Sequence, residues 1–292
     1  MGKSVAIVNG RLRKEKSGID SLVRSRLENE GIRLLVTQFP GHAKNLAQKE
    51  RNNSEIIVVG GDGTLHEVLS SLKPPFPKIR LIPAGTGNSL ARDFGWEKWN
   101  RKEENLNPTK ETILDLLQIE VVTEEETFSC YSASTIAFGF PAAVTEIANS
   151  RFKKLKKYCY PVAAGIGVFF QKRKMYEVSY NGGTKNRIPL TGCILNNTRH
   201  VANFLAFPNA KPNDGKLEVL ELNSGILGQT LHNLSVLSRK YFYEPKAPFQ
   251  VNSVVISFES PEILMVDGEI YKNVISFSVK VLPGSLGIHG PR

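Results

Sequence analysis

Between Val58 and Val68 the chain reads VVGGDGTLHEV: an apolar run, three glycines around one aspartate, a threonine, and then a helical pattern. Glycines at a strand end let backbone N–H groups approach a phosphate with no Cβ in the way. A helix start adds unpaired N–H groups and the positive end of its dipole. Asp62 would stand at the strand's C-terminal end, where open α/β sheets bind ligands. A lone carboxylate beside phosphates repels them unless a cation intervenes, so Asp62 points to Mg²⁺, held directly or through water. Thr64 is placed to cap the helix, and Glu67, three residues on, to complete a capping box. The plain alternative is a tight turn with a solvated aspartate.

A second stretch, IPAGTGNSLARDFG (82–95), repeats the layout: a strand, the turn Gly85-Thr86-Gly87, and a helix start that Asn88 or Ser89 could cap. Two glycine turns at the ends of nearby parallel strands would converge on one crevice. The Walker-A pattern and a well-placed GxGxxG are both absent, so this is a phosphate site of another kind.

Near the C-terminus, VDGE sets Asp267 and Glu269 on either side of Gly268. That alternation would let both carboxylates project on the same side of a strand or hairpin. Paired carboxylates in a cleft raise one another's pKa, which makes a better base. The competing reading is that Asp267-Gly268 is simply a hairpin turn. KPNDGKL (211–217) likewise contains Asn-Asp-Gly, a standard turn sequence.

The elements that must hold these residues fall into two sets. SVAIVNG, IRLLVTQFP, EIIVVGG and KIRLIPAG are short, nearly all-apolar strands. They alternate with the helical patterns IDSLVRSRLENEG, GHAKNLAQKERNN, TLHEVLSSL and GNSLARDFG. This predicts a parallel α/β sheet covered on both faces. From about residue 120 strands dominate, with the apolar–polar alternation of antiparallel pairing in a β-sandwich. Helical inserts interrupt them at PAAVTEIANSRFKKLKK, YCYPVAAGIGVFF and ILGQTLHNLSVLSRKYFYE. The expected division is an α/β domain over residues 1–120, joined by the tail 283–292, and a mainly β domain over 121–282 with helical inserts.

The formal net charge of +10 directs attention to anions: nucleic acid, anionic headgroups or phosphorylated small molecules. Cys130, Cys159 and Cys193 form no CxxC or Cys/His cluster, and free thiols in a reducing compartment fit them best. A strand that begins at once leads us to expect no signal peptide. The apolar run 158–170 is too short to span a bilayer and carries Pro161. Arg151 to Tyr176 has basic ends around an apolar centre, which suits either a helix lying on an anionic membrane or a buried helix with solvated ends. Tyr158, Tyr160, Phe169 and Phe170 are read as core, and the five histidines, which show no metal-ligand spacing, as structural or solvated.

Taken together, GGDGTLHEV, PAGTGNSLAR, TQFPGHA (37–43, matching TxxxGHA) and VDGE resemble the diacylglycerol kinase catalytic-domain family, the soluble lipid kinases related to sphingosine kinases. They occur in family order over almost the whole chain. The resemblance implies an ATP-binding domain of the NAD-kinase and phosphofructokinase type and a β-rich domain that helps bind lipid. It implies that Asn9, Thr37, Gly60, Gly61, Asp62, Gly63, Thr64, Glu67, Gly85, Thr86 and Asn88 line the nucleotide site. Glu269 would be the proton acceptor, with Asp267 beside it. A structural Mg²⁺ would sit in KPNDGKL, on the Asp214 carboxylate and the carbonyls of Lys211 and Lys216. ATP and Mg²⁺ would be the cofactors, and the partners a lipid substrate and an anionic membrane rather than nucleic acid, with a homodimer left open. The expected place is cytoplasmic, peripherally on a membrane.

Two positions depart from the family. The first loop, NGRLRKEKSG (9–18), keeps Asn9 but lacks the Pro of an Asn-Pro motif and is basic. Ser89 stands where bacterial diacylglycerol kinases usually carry Asp, which brings PAGTGNSLA closer to the sphingosine-kinase variant. The readings that follow are diacylglycerol kinase, a kinase for sphingoid bases or other lipids, a soluble-nucleotide kinase of the NAD-kinase type, and an inactive lipid- or nucleotide-binding regulator.

Overall fold

The computed structural model describes residues 4–14, 19–85, 87–98, 108–152, 155, 158–201, 204–238 and 246–291. The N-terminal part runs β1 (Ser4–Val8), α1 (Ile19–Asn29), β2 (Arg33–Val36), α2 (His42–Lys49), β3 (Glu55–Gly60), α3 (Asp62–Leu69), β4 (Lys78–Pro83) and α4 (Ser89–Asp93). These strands pair in parallel in the order β4-β3-β1-β2. Successive strand residues point to opposite faces, and both faces are apolar here. Val5, Ile7, Ile56 and Val58 pack with residues of α2 and α3. Ala6, Val8, Ile57 and Val59 pack with Val23 and Leu27 of α1. That double burial is why these strands read as continuous apolar runs.

The rest of the chain continues through β5 (Thr112–Thr123), β6 (Thr127–Ser132), β7 (Thr135–Gly139), α5 (Phe140–Ile147), α6 (Cys159–Gly167), β8 (Lys174–Tyr180), β9 (Asn186–Leu190), β10 (Gly192–Asn196), β11 (His200–Val201), β12 (Phe204–Leu205), β13 (Leu217–Leu222), α7 (Ile226–Leu237), β14 (Phe249–Val251), β15 (Ser253–Val266) and β16 (Glu269–His289). A turn of 3₁₀ helix, Val168–Phe170, follows α6. Pro161 sits in the first turn of α6, where a missing N–H leaves no helical bond unmade.

Antiparallel pairing carries the order β14-β13-β10-β7-β15-β16, with β8 on β15 and β5 on β16. Register shifts interrupt the long β15–β16 pair after Ser257, and such irregularities bend a strand. The sheet thereby folds over one core: Phe138 of β7 meets both Tyr176 of β8, at 4.8 Å between ring centroids, and Phe277 of β16, at 6.0 Å. The two-part reading, α/β followed by mainly β, describes this architecture. One strand serves both parts, because Ile288 and His289 at the end of β16 run parallel to Ile79 and Arg80 of β4. All three cysteines are buried, and none is joined in a disulfide. Among the described residues no helix is long and apolar enough to cross a membrane.

Candidate active site

The two glycine turns meet. A Cβ on Gly85 would lie 2.5 Å from the Gly61 Cα, and one on Gly61 would lie 2.9 Å from the Gly85 Cα. Only a residue without a side chain permits that approach. Asn88 secures the second turn: its Oδ1 accepts the Gly85 N–H at 3.0 Å and its Nδ2 donates to the Gly85 carbonyl at 2.9 Å. Asn88 occupies the helix N-cap position in left-handed geometry, φ 52°, with no side-chain cap bond. Thr86 lies outside the described residues.

The expected capping box at α3 is not what forms. The helix starts two residues before Thr64, with Gly61 at its N-cap and no side-chain cap bond. Thr64 Oγ1 instead accepts the Asn9 Nδ2 at 3.0 Å. Glu67 reaches away from its own helix start and accepts the N–H groups of Gly41 and Ala43, each at 3.0 Å. A carboxylate there satisfies orphan donors at the start of α2 and complements its dipole, which accounts for the Gly-His-Ala stretch structurally. Thr37 joins the same cluster, its Oγ1 accepting the Gly10 N–H at 3.0 Å. Asn9, Thr37, Thr64, Gly60, Gly61, Gly63 and Gly85 are thus gathered at the C-terminal ends of β1, β2, β3 and β4.

Asp62 performs a task the sequence did not suggest. Its Oδ2 accepts the Ser89 N–H at 2.9 Å, and further hydrogen bonds come from the Leu90 N–H and the Ser89 side chain. The carboxylate therefore ties the start of α3 to the start of α4. Burial pushes its pKa up to about 6, and the charge of Asp267 adds to the rise, against the pull of those hydrogen bonds.

Asp267 and Glu269 do not project together. Val266 pairs with Glu269, and Asp267 (φ 48°) and Gly268 (φ 91°) form the two-residue turn between β15 and β16. Positive φ at both positions is the geometry that suits a right-twisted hairpin. The turn carries Asp267 inward. Its carboxylate accepts the Ser132 hydroxyl at 2.8 Å and the N–H groups of Ala133 (3.1 Å), Ser134 (3.2 Å) and Thr135 (2.8 Å). Burial pushes Asp267 up to about 6 despite these donors. Glu269 is exposed and faces the glycine loop, its Oε1 only 2.5 Å from where a Cβ on Gly63 would stand. The hairpin is held from the side as well: Asn149 Nδ2 donates to the Gly268 carbonyl at 3.0 Å, and Lys272 pairs with Glu146 at 2.7 Å.

Beneath the hairpin His66 is buried between the two parts of the molecule. Its Nδ1 stands 2.9 Å from the Tyr131 carbonyl and its Nε2 2.7 Å from the Tyr271 hydroxyl. Burial holds its pKa below the usual imidazole value. The neutral ring then donates from Nδ1 and accepts the tyrosine proton at Nε2. A second link is made by Asp93 at the end of α4, which takes the Arg199 N–H at 2.6 Å and contacts His200 Nδ1 at 2.5 Å. Tyr160 on α6 packs against the core cluster around Phe140 and Ala163; burial raises its pKa, and Cys159, Asp62 and Glu269 add to the rise. No spacing in the sequence marks His66, Asp93 or Tyr160, because their partners lie far along the chain.

KPNDGKL is organised by a residue outside it. Asp115, buried, accepts the N–H groups of Gly215 and Gly284, both at 2.7 Å, and its own N–H donates to the Pro212 carbonyl at 2.8 Å. Asp214 is exposed, with one oxygen 3.1 Å from the Lys216 N–H. Lys211 and Lys216 are exposed beside it. Among the described residues no group of three or more His, Cys, Asp or Glu side chains is arranged to hold a metal ion. Asp214 is the one carboxylate within this loop, and carboxylate oxygens are the ligands a hard cation prefers.

Residues 3–119 match the family model described as the diacylglycerol kinase catalytic domain. The YtlR protein of Bacillus subtilis is 29% identical over 167 residues, 52% of this chain and 53% of that protein, so the chain spans about half the length of this curated relative. The diacylglycerol kinase of Mycobacterium tuberculosis is 24% identical over 277 residues, covering 92% of this chain and 88% of that one. A diacylglycerol kinase crystal structure from Bacillus anthracis superposes with a TM-score of 0.69 at 18% identity, over 98% of this chain and 96% of that one, a likeness of fold.

Proposed function

We propose, from the premise that residues 3–119 form a diacylglycerol kinase catalytic domain, that this chain transfers the γ-phosphoryl group of ATP to the hydroxyl of a lipid, diacylglycerol first among them, giving phosphatidic acid. The observation that carries the reading is the place of Glu269, beside Gly63 and next to the paired turns at Gly61 and Gly85. Backbone N–H groups at those turns suit the phosphates, with Asn9, Thr37 and Thr64 around them. The acceptor hydroxyl oxygen bonds to the γ-phosphorus as the bond to the β–γ bridging oxygen breaks. ADP leaves and the hydroxyl proton passes to Glu269. Such a transition state is loose, so positioning counts for more than the strength of the base.

Asp267 enters as a positioning residue. Its four hydrogen bonds fix the turn from which Glu269 extends. Asp62 likewise fixes the two helix starts against each other. When bound, Mg²⁺ supplies charge neutralisation to the phosphates, and a structural Mg²⁺ would be held by Asp214 and the carbonyls of Lys211 and Lys216. In this reading residues 1–120 with 283–292 bind ATP, residues 121–282 bind lipid, and the enzyme works at a membrane surface.

Radiolabelled ATP offered with diacylglycerol, a sphingoid base and NAD in separate reactions tests the proposal. Label in phosphatidic acid supports it. Label in NADP alone replaces it with the soluble-nucleotide reading. Label in the sphingoid base alone moves the reading to that acceptor, and label in none of the three, with ATP bound, leaves a non-catalytic binder.

A further inference from the structure

Helices α6 and α7 are built the wrong way round for water. On α6 the small residues Cys159, Ala163 and Gly167 face inward, while Val162 and Ile166 face solvent, and the turn that follows exposes Phe169 and Phe170 at 72% and 73%. On α7 the buried residues include Gln229 and Ser235, while Leu227 is 75% exposed and Leu234 50%. A surface helix of a water-soluble protein places its large apolar residues inward and its polar ones outward. The sequence reading that put Tyr158, Phe169 and Phe170 in the core fails for the same reason: Tyr158 too is 59% exposed.

The two helices form one face. Arg173, just past the Phe170 turn, donates from a guanidinium nitrogen to the Asn223 carbonyl at 2.8 Å, two residues before α7's N-cap. Lys172 and Arg173 are exposed at the edge of the apolar residues, and Lys174 beside them is exposed but paired with Glu262. We infer that this face of α6, its 3₁₀ turn and α7 inserts into the headgroup layer of an anionic bilayer, with Lys172 and Arg173 at the level of the lipid phosphates. An apolar helical face bordered by cations is what such a surface selects. A second copy of the chain would set one cationic edge against another on a protein of net charge +10. Tyr160, at the start of α6, packs into the core beneath this face, with Phe140, Val144 and Ala163 in the same cluster. The inference deepens the lipid-kinase reading and rests on it only for the identity of what is drawn from the membrane.

The test needs no ATP. Phe169→Trp and Phe170→Trp proteins are mixed with vesicles of phosphatidylcholine alone or with phosphatidylglycerol added, bearing brominated acyl chains as quenchers. Quenching beyond that of the parent, on the anionic vesicles and weakened by salt, is expected. Phe169→Ser combined with Leu227→Ser should reduce flotation with anionic vesicles by at least about tenfold, with the circular dichroism spectrum unchanged. Absence of quenching in both tryptophan variants overturns the inference, as does parent-like flotation of the double variant. A dimer in vesicle-free solution that shields both tryptophans from a water-soluble quencher also overturns it, in favour of a second copy. Vesicle insertion by a protein that labels no lipid in the separate radiolabelled-ATP reactions defeats the kinase reading alone. Phosphorylation of micellar lipid without insertion defeats the docking face alone.

Discussion

The Glu269 carboxylate occupies the space that a side chain on Gly63 would need, Oε1 lying 2.5 Å from the ideal Cβ position. Gly63 is in the first turn of α3 and has no left-handed φ to protect. Alanine there would gain about 1 kcal/mol of helix propensity, and the clash falls on the end of a flexible side chain rather than on backbone. Gly63→Ala is therefore expected to keep or slightly raise the melting temperature while lowering kcat at least about tenfold, since misplacing a catalytic group by an ångström costs that much or more. Thermal unfolding and steady-state kinetics on one preparation check it. Unchanged kcat would remove Glu269 from the reaction centre.

The two carboxylates of the VDGE hairpin should separate by phenotype. Glu269 is exposed, so Glu269→Gln should leave stability within about 0.5 kcal/mol and abolish phosphoryl transfer. Asp267 accepts four hydrogen bonds in a buried pocket. Asp267→Asn turns an amide donor toward donors and should cost about 1–3 kcal/mol, with activity falling because the turn loosens. Urea denaturation of both variants decides it. Equal stability loss in the two would mean that the turn does not shield Asp267 as described.

How much of this was legible beforehand depends on how local the signal is. Apolar runs and glycine turns are local, so the parallel sheet, the switch to antiparallel strands and the meeting of the turns at Gly61 and Gly85 could all be read. Carboxylate partners are not local. Asp62 answers to Ser89, 27 residues on, Glu67 to Gly41, 26 residues back, and Asp267 to Ser132, 135 residues back. From sequence each looked like a ligand or a local cap, and each turned out to accept main-chain donors from another element. The exposed faces of α6 and α7 were unreadable for a different reason. A helix apolar on most sides gives no periodicity that says which side meets solvent.

Stability should depend on pH in two opposed segments. Asp62 and Asp267 titrate near 6 in the fold, above their usual 3.8. Between those values the native state holds more protons than the unfolded chain, so these groups lower stability as pH rises from about 4 to about 6, with no further change above. Glu55 behaves oppositely. Burial raises it, but hydrogen bonds from His289 and Arg80 outweigh burial and bring it from 4.5 down to about 2. Its contribution is present above about pH 4.5 and is lost as pH falls toward 2. Denaturation midpoints across pH 2–7 should show Glu55→Gln flattening the lower limb and Asp62→Asn flattening the decline above it. A parent-like slope for Asp62→Asn between pH 4 and 6 would contradict the assignment.

Glu67 offers a way to tell a nucleotide contact from a structural cap. Both its oxygens are engaged by main-chain N–H groups of Gly41 and Ala43 at the start of α2. Glutamine keeps the length but loses the charge and one acceptor. Glu67→Gln should therefore lower stability by about 1 kcal/mol, the usual worth of a helix cap with its dipole interaction. Amide exchange should quicken at Gly41 and Ala43 and along α2, whose register the cap fixes. If Glu67 acts only through this cap, KM for ATP should change little when turnover is measured well below the melting temperature. A large rise in KM with unchanged exchange at those two amides would show the carboxylate meeting the nucleotide directly, and would place the glutamate among the binding residues instead of beneath them.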